Sequence, residues 1–235
     1  MRVFKDRRDA GIQLAHELQR VAEASDVVVL ALPRGGVPIG YEIATRLGVP
    51  LDVLIVRKLG VPQHPELAMG AIASGGVELL NRELVDRLRI GEDEIEDVVH
   101  AERRELARRE QLYRGVRGTY DVSRRTALLV DDGLATGSTM VAAVAAVRAR
   151  DPARVVVAVP VAAPQACEML RAHADDVICL LTPQHLYAVS TWYEDFGQTS
   201  DEEVRELLVA AERQLPSALG DPRRGRQPSR ELRLR

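Results

Sequence analysis

The chain has 235 residues, 46% of them hydrophobic and 29% charged, enough for one sizeable α/β domain with an elaboration. Its formal charge of −3 is uneven: six arginines and one glutamate between Pro222 and Arg235 put +5 on the tail and leave −8 on the rest, which argues against a nucleic-acid surface spread over the fold. Met1 to Asp9 is charged rather than leader-like, and the apolar runs of about eight residues fall short of the ~20 that a membrane span needs, so the expected location is cytoplasmic.

In chain order, Asp6 or Asp9 can cap a first helix with Ile12, Ala15, Leu18, Val21 and Ala22 on one face. Val27 to Leu32 is a continuous apolar run, as a buried parallel strand requires. Pro33-Arg34-Gly35-Gly36 follows, with Pro38 near the start of the next helix. Two adjacent glycines after a strand permit a close backbone approach to an anion, although the loop is not GxGxxG and carries no Walker lysine. Leu51 to Val56 reads as the next strand, with Arg57 and Lys58 at its carboxyl end. The stretch LGVPQHPELAMG then reads as an irregular, mobile loop, because Gly60, Pro62 and Pro65 punctuate it. His64 has no His or Cys nearby and is expected to be an ordinary loop residue.

Met69 to Ser74, Gly75-Gly76 and Val77 to Leu80 read as a hairpin. Asn81 caps a short helix. Glu92 to Tyr113 is a longer one, with Ile95, Val98, Val99, Leu106 and Leu112 inward. Arg103, Arg104, Arg108, Arg109, Arg114 and Arg117 make this region locally basic, either as a solvated face or as a contact for RNA or a protein partner. Glu105 and Arg109 are spaced to pair across one turn.

The most informative stretch is Thr126 to Met140, TALLVDDGLATGSTM. A short apolar strand ends at Asp131 and Asp132. Gly133 to Gly137 makes a turn, and Ser138 or Thr139 can cap a helix with Val141, Val144 and Val147 on its apolar face. In open α/β sheets, ligands bind at the carboxyl ends of strands. Thr136, Ser138 and Thr139 offer hydroxyls and backbone N–H groups, and a helix amino end adds partial positive charge, so this loop suits a phosphate. Asp131 and Asp132 repel a phosphate but accept hydrogen bonds from neutral hydroxyls. Together the two halves fit a ribose 5-phosphate.

Arg154 to Ala162 reads as a strand, Pro164 to Ala172 as a helix and Asp176 to Leu181 as the last core strand. Strands and helices alternate, which argues for a mainly parallel sheet covered on both faces. Cys167 and Cys179 sit in apolar surroundings with no zinc-ligand spacing and read as buried free thiols. His185 to Phe196 gathers Tyr187, Trp192, Tyr193 and Phe196, rings that can either stack on a flat base or pack in the core. Asp201 caps a helix through Ala211, and the Pro-, Gly- and Arg-rich end of the chain reads as mobile.

VDDGLATGST resembles the phosphoribosyl-pyrophosphate (PRPP) motif of the type I phosphoribosyltransferases at Asp131, Asp132, Thr136, Gly137 and Thr139. LPRGGVPIG resembles their pyrophosphate loop, and LGVPQHPELAMG their flexible loop. The resemblance covers about residues 25 to 200 and is closest to bacterial proteins of this family with no base assigned. It implies the type I fold: an α/β, mainly parallel sheet plus a small hood and a helical insertion. The phosphoribosyltransferase domain would span 1–200, with the insertion at about 81–118 and a hood contribution at about 182–200. A C-terminal helix at 201–214 and a flexible tail at 215–235 would follow.

The implied activity is transfer of a phosphoribosyl group from PRPP to a nitrogenous base, with Mg²⁺ and release of pyrophosphate. Ala135 before Thr136 resembles the adenine-type loop and puts a purine among the candidate bases. Carried over residue by residue, Asp131 and Asp132 would bind the ribose hydroxyls and act in catalysis, and Ala135, Thr136, Gly137, Ser138 and Thr139 would hold the 5-phosphate. Arg34, Gly35 and Lys58 would hold pyrophosphate, with a non-proline cis peptide at or next to Arg34-Gly35. Trp192 and Tyr193 are the candidates for stacking on the base. Mg²⁺ would come with PRPP, with any contact to Asp131 or Asp132 made through water rather than in an all-protein cage. The rival reading is a regulator of the same fold that senses PRPP or nucleotides and binds RNA or DNA; Lys58, Arg34 and the flexible loop favour the enzyme.

Overall fold

A computed structural model of the chain describes residues 3–24, 26–115 and 118–215. Arg117 and the arginine-rich tail from residue 216 onward lie outside the described residues.

The first helix, α1 (Arg7–Ala24), starts where the Asp6 carboxylate accepts from the Asp9 N–H at 2.8 Å. Leu14 and Leu18 are its most deeply buried large side chains, while Ile12 is only half-buried. Strand β1 (Val27–Ala31) is buried throughout, and α2 (Gly36–Leu47) follows it. Strand β2 is shorter than expected, Leu51–Val53. Leu54 and Ile55 carry the chain away from it, and Val56 opens a second sheet.

That second sheet corrects the expectation of an irregular mobile loop. Strands β3 (Val56–Val61) and β4 (His64–Ala73) pair antiparallel, and β5 (Val77–Leu80) pairs with β4. Pro62 and Gln63 form the turn, with Gln63 at φ 66°. The ladder slips at Gly60, where a methyl group would lie 2.7 Å from the Pro65 carbonyl oxygen. The prolines and glycine that suggested disorder thus build a bulged hairpin.

Next come α3 (Arg82–Leu88), capped by the Asn81 side chain, and α4 (Glu92–Arg114). Strand β6 (Thr126–Val130) leads to α5 (Ser138–Arg148). Strand β7 (Arg154–Val161), α6 (Pro164–Arg171) and β8 (Asp176–Leu181) follow. A single 3₁₀ turn, Val189–Trp192, precedes α7 (Asp201–Gln214). Two caps differ from expectation. Gly137, at φ 75°, precedes α5 in place of Ser138 or Thr139. The Ser200 side chain caps α7 and leaves Asp201 in its first turn.

The main sheet is wholly parallel in the order β2-β1-β6-β7-β8. Strand side chains alternate between two cores. Val27, Val29, Leu128 and Val156 pack with α1, α2, α4 and α7, whereas Val28, Leu30, Leu129 and Val157 pack with α5 and α6. Cys167 and Cys179 are free thiols in contact at 2.8 Å, Cys167 buried and Cys179 half-buried. No helix among the described residues is long and apolar enough to cross a membrane.

The arginines of α4 are largely spent on carboxylates. The helix itself carries eight acidic against five basic residues. Arg103 meets Glu78 at 2.6 Å, and Arg108 and Arg109 both reach Glu105. Their bonds pull the Glu105 carboxyl down to about 2. The locally basic surface expected there is therefore mostly neutralised.

Arg114 turns inward and holds α4 to β2. Its Nε donates to Asp52 Oδ1 at 2.8 Å, its second amino group bonds the Val53 carbonyl, and Asp52 Oδ2 accepts from the Tyr120 N–H at 3.1 Å. Both side chains of this pair are less than a tenth exposed. Removing Asp52 takes the buried carboxylate from Arg114 while Glu110, at 3.0 Å, still offsets the charge, so the cost is about 1–3 kcal/mol. Asp52→Ala should therefore lower the unfolding free energy by that amount in urea titrations, several times the loss from Glu92→Ala, whose pair with Arg82 is solvent-exposed.

Candidate active site

The carboxyl end of β6 is the centre of the site. Asp131 and Asp132 follow Val130 directly, both half-buried, and the Asp132 N–H donates to Asp131 Oδ1 at 2.8 Å. Burial raises the Asp131 carboxyl well above the usual carboxylate range, and the neighbouring Asp132 charge adds to it. Burial also raises Asp132, but there Arg7 opposes the shift.

Arg7 is the residue that sequence reasoning missed. Its Nε and one terminal amino group donate to Asp132 Oδ2 at 2.9 and 2.8 Å, and the other amino group donates to the Gly197 carbonyl at 2.6 Å. The guanidinium lies 3.8 Å over the Phe196 ring. Arg7 and Asp132 are 125 positions apart, and an arginine in the first turn of a helix carries no local mark of such a contact.

Beside the acid pair runs the β1–α2 loop. The Pro33–Arg34 peptide is cis. A methyl group on Gly35 would fall 1.9 Å from Asp132 Oδ2, and one on Gly36 would fall 2.6 Å from the Val130 carbonyl oxygen. Both positions therefore exclude a side chain, and this is what lets the two loops touch. The Arg34 guanidinium points to Asp201 in the first turn of α7, at 3.8 Å. Asp201 also accepts from the Tyr113 hydroxyl at 2.7 Å. Burial, with that bond, pushes Tyr113 up to about 12, so it remains a donor at neutral pH.

On the other side lies the loop from Gly133 to Gly137. It is anchored through Leu134, whose N–H donates to the Val161 carbonyl and whose carbonyl accepts from the Ala163 N–H. Ala135, Thr136, Ser138 and Thr139 are exposed. Gly137 alone of this group is buried, and a methyl group there would approach Ala166 at 3.2 Å. The first N–H groups of α5 have no acceptor within the helix, so they face the same space as these hydroxyls. Lys58 reaches this loop from β3, its Nζ donating to Ser138 Oγ at 3.0 Å, and Thr136 Oγ1 lies 3.2 Å from the same oxygen. Lys58 and Arg34 were expected to act together; the structure puts Lys58 against the phosphate-type loop and Arg34 against Asp201.

The rings between Tyr187 and Phe196 mostly face inward. Trp192 and Tyr193 are buried in a cluster with Phe4 and Ala10, and Phe196 packs against it. The Tyr193 hydroxyl donates to the Asp132 carbonyl at 2.6 Å. Burial raises that hydroxyl beyond its ordinary range, so it stays protonated. Tyr187 is 92% exposed. A cavity of about 260 Å³ adjoins Arg7, with Asp6, Pro38, Asp195, Gly197 and Glu203 among its walls. Among the described residues no group of three His, Cys, Asp or Glu side chains could hold a metal ion.

A parallel α/β sheet here places an acid pair beside a glycine-started helix end, with a glycine loop packed against the pair. Comparison with known proteins makes this specific. The phosphoribosyl transferase domain family matches residues 5–191, and the chain belongs to that family.

A Mycobacterium tuberculosis protein provisionally named a phosphoribosyl transferase, found in strains CDC 1551 and H37Rv, is 44% identical over 218 residues, 93% of this chain. The chain spans about half, 49%, of the length of these relatives. The crystal structure of TT1426 from Thermus thermophilus shares 44% identity at a TM-score of 0.80, over 89% of this chain and 99% of that one.

Two outcomes follow from the geometry. Asp131 carries a raised folded-state value, so its ionisation opposes folding: the cost is absent in acid and grows as pH rises through that value. Asp131→Asn should therefore raise the melting temperature of the free protein near pH 7, by about 2–4 °C per kcal/mol relieved, and the gain should shrink toward pH 4. Gly35→Ala should do the reverse, because the new methyl must displace Asp132 or the loop; its cost should be about 1–3 kcal/mol by urea unfolding.

Proposed function

We propose that the chain is a PRPP-dependent phosphoribosyltransferase that joins a ring nitrogen of a base, with a purine among the candidates, to C1 of ribose 5-phosphate. The observation that carries this reading is the meeting of three parts at one strand end: Asp131–Asp132, the Gly137-started helix end with Lys58, and the Pro33–Gly36 loop in contact with Asp132. In the reaction the C1–oxygen bond to pyrophosphate breaks, the C1–nitrogen bond forms, and any proton on that nitrogen goes to solvent.

The 5-phosphate would sit on the N–H groups and hydroxyls from Ala135 to Thr139, close to Lys58. Asp131 and Asp132 would accept from the ribose hydroxyls and lie near the positive charge that develops on the ring. Gly35 lets the β1–α2 loop lie against Asp132, the pyrophosphate would sit along that loop's main chain, and Arg34, swung from Asp201, would supply a cation there. Mg²⁺ bound through the substrate phosphates would neutralise the leaving group, and a two-carboxylate donor set suits that ion better than a closed cage. Catalysis is then mainly positioning and electrostatic. The cavity beside Arg7 is the proposed place of the acceptor, and the cytoplasm the proposed location. The pairing of the α4 arginines with carboxylates leaves the nucleic-acid regulator without support from that helix.

Thermal unfolding with PRPP and Mg²⁺ tests this reading. A ligand at ~100 times its dissociation constant adds about 2.7 kcal/mol. The wild type should therefore gain roughly 5–10 °C. Asp131→Asn/Asp132→Asn should gain nothing. An unshifted, folded wild type would rule out the proposed substrate.

A further inference from the structure

We propose that Arg7 is the positioning residue of the acid pair, holding Asp132 in one orientation toward the ribose and tying it to the hood. The inference rests on the function proposed above, because it names a ribose hydroxyl as the partner of Asp132.

Three observations carry it. First, both Arg7 bonds to Asp132 fall on Oδ2, at 2.9 and 2.8 Å, so Oδ1 lies outside that pairing and can accept from a hydroxyl. A carboxylate gripped by two N–H groups of a planar guanidinium cannot turn without breaking both.

Second, the guanidinium is itself held on its remaining sides. Its third donor bonds the Gly197 carbonyl at 2.6 Å, and its face lies 3.8 Å over the Phe196 ring. At 12% exposure, the side chain is largely removed from water, which strengthens each of these contacts.

Third, Asp132 is fixed at its other end as well. Its carbonyl accepts from the Tyr193 hydroxyl at 2.6 Å, and Gly35 presses on Oδ2 so closely that no Cβ fits between them. Tyr193, Phe196 and Gly197 belong to one short stretch of the hood. Arg7 therefore joins three segments, namely the start of α1, the end of β6 and the hood, into a single support for one carboxylate. An acid at this strand end has the right chemistry for a hydroxyl but, beside Asp131, a strong reason to turn toward water. Arg7 removes that freedom before any ligand arrives, so binding loses less conformational entropy.

A double-mutant cycle separates positioning from mere packing. Arg7→Met, Asp132→Asn and the double variant would be compared with wild type in two measurements, apo thermal unfolding and calorimetric titration with PRPP in Mg²⁺. Arg7→Met should weaken PRPP binding about tenfold, the scale of a lost charge-assisted pair. Arg7→Lys should recover part of that loss. The double variant should bind no more weakly than Asp132→Asn, since Arg7 acts through that carboxylate. Additive losses, or an Arg7→Met protein that binds like wild type, would overturn the proposal. If Arg7→Met does not fold, Arg7→Lys takes its place in the cycle, with the same criterion.

The apo measurement is independent of the ligand. Coupled unfolding losses are expected, and additive ones would break the Arg7–Asp132 tie itself. A folded wild type that ignores PRPP would instead overturn the proposed function, and with it the ribose hydroxyl as the partner of Asp132.

Discussion

Two adjacent carboxylates at the end of one buried strand repel each other and resist burial, and much of the surrounding structure answers that constraint. Asp131 takes a bond from the next backbone N–H. Asp132 takes two from Arg7. Gly35 contributes only its lack of a side chain, which allows the β1–α2 loop to close on the pair. These groups come from the N-terminal helix, the first crossover and β6 itself, so the placement of each depends on the same two charges. The arrangement is costly to the free protein, and carboxylates perturbed in this way cluster at functional sites.

The neighbouring half of the site has the opposite electrostatics. Gly137 starts α5 in the left-handed region, so the helix opens without a side-chain cap and its first N–H groups remain available. Lys58 adds a full charge, delivered not by the main sheet but by β3 of the smaller one. That smaller sheet keeps its place through the Ser74 hydroxyl, which accepts from the Ile55 N–H, and through Arg114, which reaches Ser74 and Asp52 together. Cationic groups thus lie on one side of Gly133 to Gly137 and anionic ones on the other. A ligand with phosphate at one end and hydroxyls at the other satisfies both, whereas a plain anion or a plain sugar satisfies only one.

The parts of this arrangement differ in how visible they were in the amino-acid order. Strands β1, β6 and β7 were plain as nearly continuous apolar runs, because burial on both faces leaves few polar positions. The acid pair and the phosphate-type loop were equally plain, since a strand end, a glycine turn and a helix start are local events over fifteen residues. Local reasoning failed where two features compete for one reading. Gly60, Pro62 and Pro65 are loop residues by composition, yet they form a bulged hairpin because β4 supplies a partner for β3. Trp192 and Tyr193 left stacking and core packing both open, and the structure shows their rings packed with Phe4 of the N-terminal segment. Ser200 and Gly137 are the caps in preference to Asp201, Ser138 and Thr139, a shift of one or two residues that backbone angles decide.

The sequence by itself determined the class of fold, the strand that bears the carboxylates and the loop suited to a phosphate, since periodicity, turn chemistry and helix starts act between near neighbours. Only the tertiary structure decided what those groups face. Arg7 reaches Asp132 across 125 positions, Lys58 reaches Ser138 across 80, and Tyr113 reaches Asp201 across 88. Such contacts leave no periodic trace. They arise from how α1, the small sheet and α7 pack on the main sheet, and that packing follows from the apolar faces of whole elements rather than from the polar residues it brings together.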